Sequence, residues 1–358
     1  MTDYNNSIGV KRIEKNFEDS TDQFYSRDTV LQEKPKRKIR FDHLTWIPSL
    51  LYSRLYRVLP RIFKDIFFWL TIIHKSPASN FFANTRYDEL RTLIDIKVSS
   101  LFLRAVPSNF LKDVTDTFKK GFYSTNLGSL SEIDLLIEDV VKYSSPSHAG
   151  ARPYFKDGKN KKIDNSFSAY YTFSREDVKK INLIFSKILG EEFNYHLSAL
   201  AGYECSLHDI TYSLSIVFGE NSNSEMHQDT YASVAKGFIY LQDIGKTNSP
   251  FEYLEGSYKD ASFRSIKTNN AVLRGDFHSS GSTRLRGEDL LEALENYRLQ
   301  SFQGSKGLFI LANTAGYHRK GKHESSKPRI LLACGVKRRG VISKLIFNFL
   351  SICKTRFT

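Results

Sequence analysis

Three residues in the second half of the chain have side chains and a spacing that suit a metal ion. His227 and Asp229 are separated by one residue, and in an extended chain such residues point to the same face, so both can reach one ion. His318 follows a strand-like stretch, GLFILAN, and is a candidate third ligand. Two histidines and one carboxylate on one side of an ion leave other positions open, which is the arrangement that non-haem Fe(II) sites use for oxygen chemistry.

A His-x-Asp triplet is weak evidence alone, because such triplets arise by chance and a typical histidine is a surface or core residue. His323 is the rival third ligand. It lies within a polar run, KGKHESSK, with no strand leading into it, and we therefore favour His318. The sequence on either side of the triplet is therefore needed to predict whether the group binds a metal.

That surrounding sequence resembles the phytanoyl-CoA dioxygenase family of Fe(II)- and 2-oxoglutarate-dependent enzymes over residues 205–338. The matching pieces occur in the family's order: His227-x-Asp229, Lys236, Tyr240-Leu241, Asp243-Ile244, the NSPF of 248–251, Gly256-Ser257 and His318-Arg319. The family typically has NGPF and PGSH at two of these places, where this chain has NSPF and EGSY. Glu255 thus replaces the usual proline and Tyr258 the usual histidine, but neither departure touches a candidate ligand.

Arg329 follows His318 by eleven residues, on a strand-like segment. In the enzymes that this sequence resembles, an arginine at that place pairs with the distal carboxylate of 2-oxoglutarate. A planar guanidinium can bind a carboxylate through two parallel hydrogen bonds, which lysine cannot do. Tyr240 and Thr314 could each offer a hydroxyl to 2-oxoglutarate, and Lys236 could approach it from a neighbouring strand. Ordinary packing or a solvated surface position explains these three residues at least as well.

The resemblance implies a mainly β core, a cupin-like double-stranded β-helix or jelly roll, with an α-helical N-terminal region and flanking helices. It implies Fe(II) as cofactor, with 2-oxoglutarate and O2 as co-substrates, and hydroxylation of a small molecule. Halogenating relatives lack the carboxylate ligand, so Asp229 favours hydroxylation over halogenation. Two alternatives stay open. One is a catalytically inactive jelly-roll binding protein, and the other is a metal-dependent isomerase on the same barrel, which would not need Arg329.

Helical and strand-like patterns divide the chain into four regions. In chain order these are a flexible polar and basic leader at 1–40, a helical region that buttresses the core at 41–200, the oxygenase core at 201–338 with a helical insert at 259–304, and a basic amphipathic helix at 339–358. Helical periodicity is clearest at 87–105, 108–120, 131–143, 178–190 and 285–299. Strand-like alternation occurs at 210–218, 236–244, 251–254, 307–312 and 329–336. Gly121 is a plausible helix stop, and Ser174 with Asp177 predicts a capped helix start.

Composition and charge exclude several classes of protein. Of 358 residues, 41% are hydrophobic, which indicates a globular chain. Three scattered cysteines exclude a disulfide framework and fit a reducing compartment such as the cytoplasm. The net charge of +13 lies mainly at the flanks, since 34–75 has ten Lys/Arg and two Asp/Glu (+8) and 333–358 has six and none (+6). The nearly neutral centre argues against a nucleic-acid groove.

Both basic flanks also have the spacing of amphipathic helices, at 51–73 and 341–358. In the second, the apolar positions are Val341, Ile342, Leu345, Ile346, Phe349 and Leu350, and the basic ones are Lys337, Arg338, Arg339, Lys344, Lys354 and Arg356. Basic amphipathic helices can lie on an anionic bilayer, so peripheral membrane contact is predicted. The alternative is that these apolar faces pack on the core. The longest apolar run, 66–73, is too short to span a bilayer.

The substrate is expected to be a small molecule that is either anionic or linked to a lipid or sugar, and basic residues near the predicted pocket suggest that it carries a carboxylate or phosphate. Four of them, Arg264, His278, Arg284 and Arg286, lie in the insert at 259–304. The loop 146–163 adds Arg152, Lys156, Lys159, Lys161 and Lys162. The alternative is that these charges are exposed to solvent and bind no substrate.

Overall fold

Two antiparallel sheets face each other and form the core of the protein. The computed structural model describes residues 87–143, 167–219, 222–229, 232–274, 283–325 and 328–357. Several predictions fall outside these residues: the leader at 1–40, the amphipathic segment at 51–73, the loop 146–163, and His278.

The eleven strands within the described residues are short. In chain order they are β1 (Phe122–Asn126), β2 (Phe167–Thr172), β3 (Ile210–Phe218), β4 (His227–Gln228), β5 (Ala235–Tyr240), β6 (Phe251–Leu254), β7 (Thr283–Arg284), β8 (Leu299–Phe302), β9 (Leu308–Asn313), β10 (His318–Lys320) and β11 (Arg329–Val336). The larger sheet has the order β1-β9-β5-β11-β3-β2, and the smaller has the order β7-β4-β10-β6-β8. Apart from β2 and β3, neighbouring strands are non-consecutive in the sequence, as in a jelly roll.

Eight α-helices accompany these sheets in the described residues. They are α1 (Tyr87–Ser100), α2 (Ser108–Lys120), α3 (Ser131–Tyr143), α4 (Arg175–Ile188), α5 (Glu192–Ala201), α6 (Ala261–Leu273), α7 (Glu288–Asn296) and α8 (Val341–Phe357). Within the same part of the chain, none of the helices has the length and apolarity needed to cross a membrane.

The larger sheet is covered on both faces. On its outer face, Phe185 of α4 and Phe193 of α5 pack on Phe309 of β9, with ring centroids 6.1 and 5.3 Å apart. On its inner face, apolar residues meet those of the smaller sheet in a second core, which contains Tyr240, Ile310, Leu331, Phe251, Tyr253 and Phe302. The mainly β core with flanking helices that the sequence predicts is therefore confirmed.

Two helix boundaries that the sequence predicts are confirmed in detail. The side chain of Ser174 accepts a hydrogen bond from the backbone N–H of Asp177, whose carboxylate accepts one from Ser174 N–H, so α4 begins with a capping box. Gly121 ends α2 in the left-handed conformation with φ 85°. A Cβ atom at Gly121 would lie 2.5 Å from the hydroxyl oxygen of Tyr253 and 2.8 Å from a ring carbon of Tyr258. Only glycine fits this place without rearrangement.

Three predictions needed correction. The region 41–200, predicted to be helical, also contributes β1 and β2 to the edges of the larger sheet. The insert 259–304 contains α6 and two short strands as well as the predicted helix. Lys344, predicted to lie on the exposed basic side of α8, is fully buried, because its ammonium pairs with Asp95 of α1 at 2.8 Å.

The glycine at the end of α2 gives a stability prediction. Gly121→Ala forces alanine into positive φ and also pushes a methyl group into two buried tyrosines. Gly128→Ala is the matched control, since Gly128 has φ 71° but no atom within 4 Å of the new Cβ. Positive φ costs an alanine roughly 1–2 kcal/mol, and overpacking adds about 1 kcal/mol or more.

Chemical denaturation of the two variants should therefore show a larger loss of unfolding free energy for Gly121→Ala than for Gly128→Ala. Equal losses would mean that Tyr253 and Tyr258 move aside freely, which contradicts the tight packing described above.

Candidate metal centre

The two histidines of the predicted triad lie on neighbouring strands of the smaller sheet. His227 begins β4 and His318 begins β10, and the two residues are directly opposite each other in the ladder. Their rings are 4.4 Å apart, measured between centroids. Asp229 follows β4, and its backbone N–H donates to the carbonyl of Thr314 at 2.9 Å. Strand pairing therefore brings together residues that are far apart in the sequence.

The three side chains converge on one point. His227 Nε2 lies 4.0 Å from Asp229 Oδ1, and His318 Nε2 lies 3.8 Å from Asp229 Oδ2. All three candidate ligand atoms lie within 4.8 Å of one another, and this is the one such group of His, Cys, Asp and Glu in the described part of the chain. Both histidine side chains are only 7% exposed, so the group is shielded from bulk water.

Hydrogen bonds to the backbone fix which ring nitrogen faces the centre. Nδ1 of His227 lies 2.7 Å from the carbonyl oxygen of Glu225, and Nδ1 of His318 lies 2.9 Å from that of Gly316. A carbonyl oxygen only accepts, so each Nδ1 carries the proton and each Nε2 presents its lone pair to the centre. This is the orientation that metal-binding histidines commonly have.

The ionisation states also suit a cation. Burial lowers the pKa of His227 to about 3, and burial likewise lowers the pKa of His318. For Asp229, burial acts to raise the pKa, but the ammonium of Lys236 and the two neighbouring histidines together outweigh it, and the pKa lies well below its usual value. At neutral pH the group consists of two neutral imidazoles and one carboxylate, the forms in which these side chains bind divalent metals.

Lys236, a predicted co-substrate contact, lies at the same place. Its ammonium nitrogen is 2.5 Å from Oδ2 of Asp229. This carboxylate oxygen is one that a metal ion would use, so the ammonium competes with a metal for it. Movement of Lys236 would free the oxygen for the metal and the ammonium for a bound anion.

A buried polar network behind the triad holds β4 in place, and no motif in the sequence predicted it. Gln228, whose side chain points away from the metal ligands, donates to the hydroxyls of Thr268 and Thr283 at 2.8 and 2.7 Å. Its amide oxygen accepts from Arg264 Nε at 3.0 Å. Each polar atom of the Gln228 side chain thus has a partner, as a buried amide requires.

The network also corrects the expected role of the basic residues in the insert. Arg264 is bound to Gln228 and to the carbonyl of Tyr258. Arg284 and Arg286 each pair with Glu225 at 2.8 Å. None of these arginines is among the described residues that line the cavity at the triad. They support the walls of the site, because their charges are satisfied by protein groups.

The triad opens into a cavity of about 1000 Å³ that is lined by residues of β3, β5 and β11 in the larger sheet and of α4. Arg329, at the start of β11, lines this cavity and is 5% exposed. Lys236 lines it too, opposite Gly335 near the other end of β11. Among the described residues of the lining, seven are Lys or Arg, whereas Asp229 is the one carboxylate. The cavity therefore suits anions.

The other predicted contacts lie outside the cavity lining. The hydroxyl of Tyr240 donates to the carbonyl of Phe302 at 2.8 Å and accepts from the N–H of Phe251 at 2.9 Å, so it is used in the core. Thr314 is fully buried, and its carbonyl accepts from Asp229. His323, the rival ligand, bonds to Ser249 at 2.8 Å and is not part of the triad group.

Comparisons with known proteins leave the family open. No protein-family model and no curated protein matches the chain. Among solved structures, the chain is similar to SnoK, described as a non-haem α-ketoglutarate-dependent carbocyclase from nogalamycin biosynthesis, with 13% identity, a TM-score of 0.39, and coverage of 63% of this chain and 83% of that one.

Two further solved structures have a similar degree of likeness. EctD from S. alaskensis, with bound Fe, is 10% identical with a TM-score of 0.40, over 66% of this chain and 80% of EctD. HygX from Streptomyces hygroscopicus, with nickel, 2-oxoglutarate and hygromycin B, is 14% identical with a TM-score of 0.37, over 65% and 87%. Likeness at this level establishes neither the family nor the activity of this chain.

The triad gives a prediction for metal binding. Replacing His227, Asp229 or His318 by alanine removes a direct ligand, so Co(II) affinity should fall by more than the roughly 10–100-fold that loss of an outer-shell partner causes. Titration calorimetry measures the affinity, and circular dichroism checks the fold. His323→Ala is the matched control and should leave the affinity unchanged. A triad variant that keeps full affinity would remove that residue from the site.

Proposed function

We propose that this chain is an Fe(II)- and 2-oxoglutarate-dependent oxygenase. The observation that supports it is the presence, in one basic cavity inside a jelly roll, of two neutral histidines, an ionised aspartate and a buried arginine. The three ligands fit Fe(II) because they offer two imidazoles and one carboxylate from one side. When bound, Fe(II) with 2-oxoglutarate and O2 supplies the oxidant that converts a substrate C–H bond to C–OH.

Each residue of the chain has a separate task in this proposal. His227, Asp229 and His318 hold the metal, and their backbone hydrogen bonds keep the rings in the binding orientation. Arg329 binds the distal carboxylate of 2-oxoglutarate from the start of β11. The apolar walls, which include Phe238, Phe251, Leu331 and Ala333, exclude water from the centre.

Hydroxylation is the reaction that we favour. Asp229 is present as an ionised ligand, so the position that a halide would need is taken. The motif order from His227 to Arg329 supports membership of the phytanoyl-CoA dioxygenase-like group. This assignment is a proposal from motifs, and the departures at Glu255 and Tyr258 lie outside the ligand set.

The substrate that best fits the cavity has an apolar body and an anionic group. Arg175 and Lys179 are one helical turn apart on α4, and Arg338 follows the end of β11; all three line the cavity. Arg329 begins β11, so these cations lie at the opposite end of the strand from the proposed 2-oxoglutarate site. They replace the arginines of the insert as the charges that would bind a carboxylate or phosphate of the substrate.

The reaction type is tested by succinate formation. The purified chain should convert 2-oxoglutarate to succinate only when Fe(II) is present, and more rapidly with a true substrate than without. A panel of candidate substrates that pairs each acid with its neutral amide or ester tests the substrate class. Because Arg175, Lys179 and Arg338 line the cavity, the acids should stimulate succinate formation more than their neutral partners do. Intact Co(II) binding without succinate formation for any member of the panel would favour the isomerase or the binding protein.

The co-substrate role of Arg329 gives a second functional prediction. Arg329→Lys keeps the charge but loses the two-pronged hydrogen bond, which is worth about 2 kcal/mol for a charged pair. The KM for 2-oxoglutarate should therefore rise ten-fold or more, while Co(II) affinity is unchanged. Arg319→Lys is the matched control, because Arg319 lines the same cavity but its guanidinium is held by Glu252 at 2.6 Å. An unchanged KM in Arg329→Lys would exclude Arg329 from the 2-oxoglutarate site.

A further inference from the structure

The helix α8 has its polar side inward. Lys344 and Asn348 are fully buried, and Ser351 is nearly so. The ammonium of Lys344 pairs with Asp95 at 2.8 Å and donates to the carbonyl of Ser233 at 2.9 Å. Asn348 donates to the carbonyls of Val98 and Gly202 at 2.8 and 3.1 Å. These buried bonds fix the rotation of the helix about its axis, because turning it would leave the carboxylate of Asp95 without its cation.

The outward side of α8 is consequently apolar. Five large residues at helical spacing are between 46% and 64% exposed: Ile342, Leu345, Ile346, Phe349 and Leu350. They form one continuous stripe, since positions three, four, seven and eight residues apart lie on one face of a helix. Exposing such a stripe to water is unfavourable in proportion to its area. A continuous stripe of this kind marks an interaction site more often than scattered apolar residues do.

The charge around the stripe indicates the chemistry of its partner. Residues 333–358 contain six Lys or Arg and no Asp or Glu. Lys344 is used inside the protein, but Lys337 before the helix and Lys354 in its last turns are exposed. An apolar stripe with basic residues at both ends is complementary to a surface that is apolar below and anionic above.

Two other occupants are disfavoured by the same charge. A second copy that pairs through α8 would bring two basic helices together. The segment 34–75 of this chain, which carries +8, has the same sign as α8. Like charges across a contact oppose binding, whereas each Lys or Arg near an anionic bilayer favours it.

We propose that the stripe on α8 docks on an anionic phospholipid surface. This proposal is independent of the reaction that the cavity performs. The helix lies in the plane of the interface and does not cross it, with Phe349 and its apolar neighbours among the acyl chains and the terminal lysines at the headgroups. The inward bonds of Lys344 hold the rest of the protein on the aqueous side.

The test is flotation of the full chain with vesicles. At low salt the protein should float with phosphatidylcholine vesicles that contain phosphatidylserine, and much less with phosphatidylcholine alone. The double variant Ile346→Ser/Phe349→Ser removes two large apolar groups from the stripe and should lower the partition coefficient at least about ten-fold. Leu291→Ser is the matched control, because Leu291 on α7 is 61% exposed but lies off α8; it should float like the parent.

The outcomes separate the proposal from its rivals. Circular dichroism and Co(II) affinity should be unchanged in the double variant, since neither residue is buried or near the triad. Flotation that is absent, or that persists undiminished in the double variant, overturns the proposal. A concentration-dependent dimer that the double variant abolishes, without flotation of the parent, would assign the stripe to a second copy. None of these results depends on whether the chain forms succinate.

Discussion

The antiparallel pairing of β4 with β10 is the contact on which the candidate centre depends. It sets His227 directly opposite His318, and no local feature of either segment could do so. β4 has only two residues, so it needs support beyond its ladder. That support comes from Gln228, bound on its far side by Arg264 and two threonines, and from the N–H of Asp229, bound by Thr314. A small element whose buried amide is fully hydrogen-bonded can hold two candidate ligands rigidly.

Electrostatics impose the second constraint. A buried carboxylate without a counter-charge is costly, and in this structure Lys236 stabilises the ionised form of Asp229. The same ammonium belongs to a cavity with a large excess of cations, which would stabilise the anionic co-substrate that we propose. The centre is thus balanced by a protein charge before any ligand enters.

Much of the fold and the three candidate ligands could be predicted from the sequence. The strands β3, β6 and β11 occur at the predicted bounds, because alternation in short segments between turn residues is a strong signal. The edge strands β1 and β2 were missed, since their residues are mixed in polarity and their pairing with distant strands decides their structure. The motif around His227 identified the candidate ligands, whereas the residues of the Gln228 network have no spacing pattern that would predict their contacts.

The orientation of the C-terminal helix on the core could not be predicted from its residue pattern. The spacing of apolar and basic residues identifies the two faces of α8, but it does not indicate which face lies inward. That choice is made by Asp95, whose carboxylate lies 249 residues before Lys344 in the sequence. This buried ion pair, together with the buried bonds of Asn348, therefore reverses the usual orientation of an amphipathic helix.

The bond from Lys344 to Ser233 has a consequence for biosynthesis. Ser233 lies in the segment between Asp229 and Lys236, and its N–H also donates to Asp95 at 2.7 Å. When a nascent chain has emerged from the ribosome only as far as β11, every proposed ligand is outside, but Lys344 is still inside the exit tunnel and Asp95 lacks its counter-charge. Until α8 has docked, the segment that contains Ser233 lacks its bond to Lys344. Binding of a metal at the proposed site is therefore expected to follow the docking of α8.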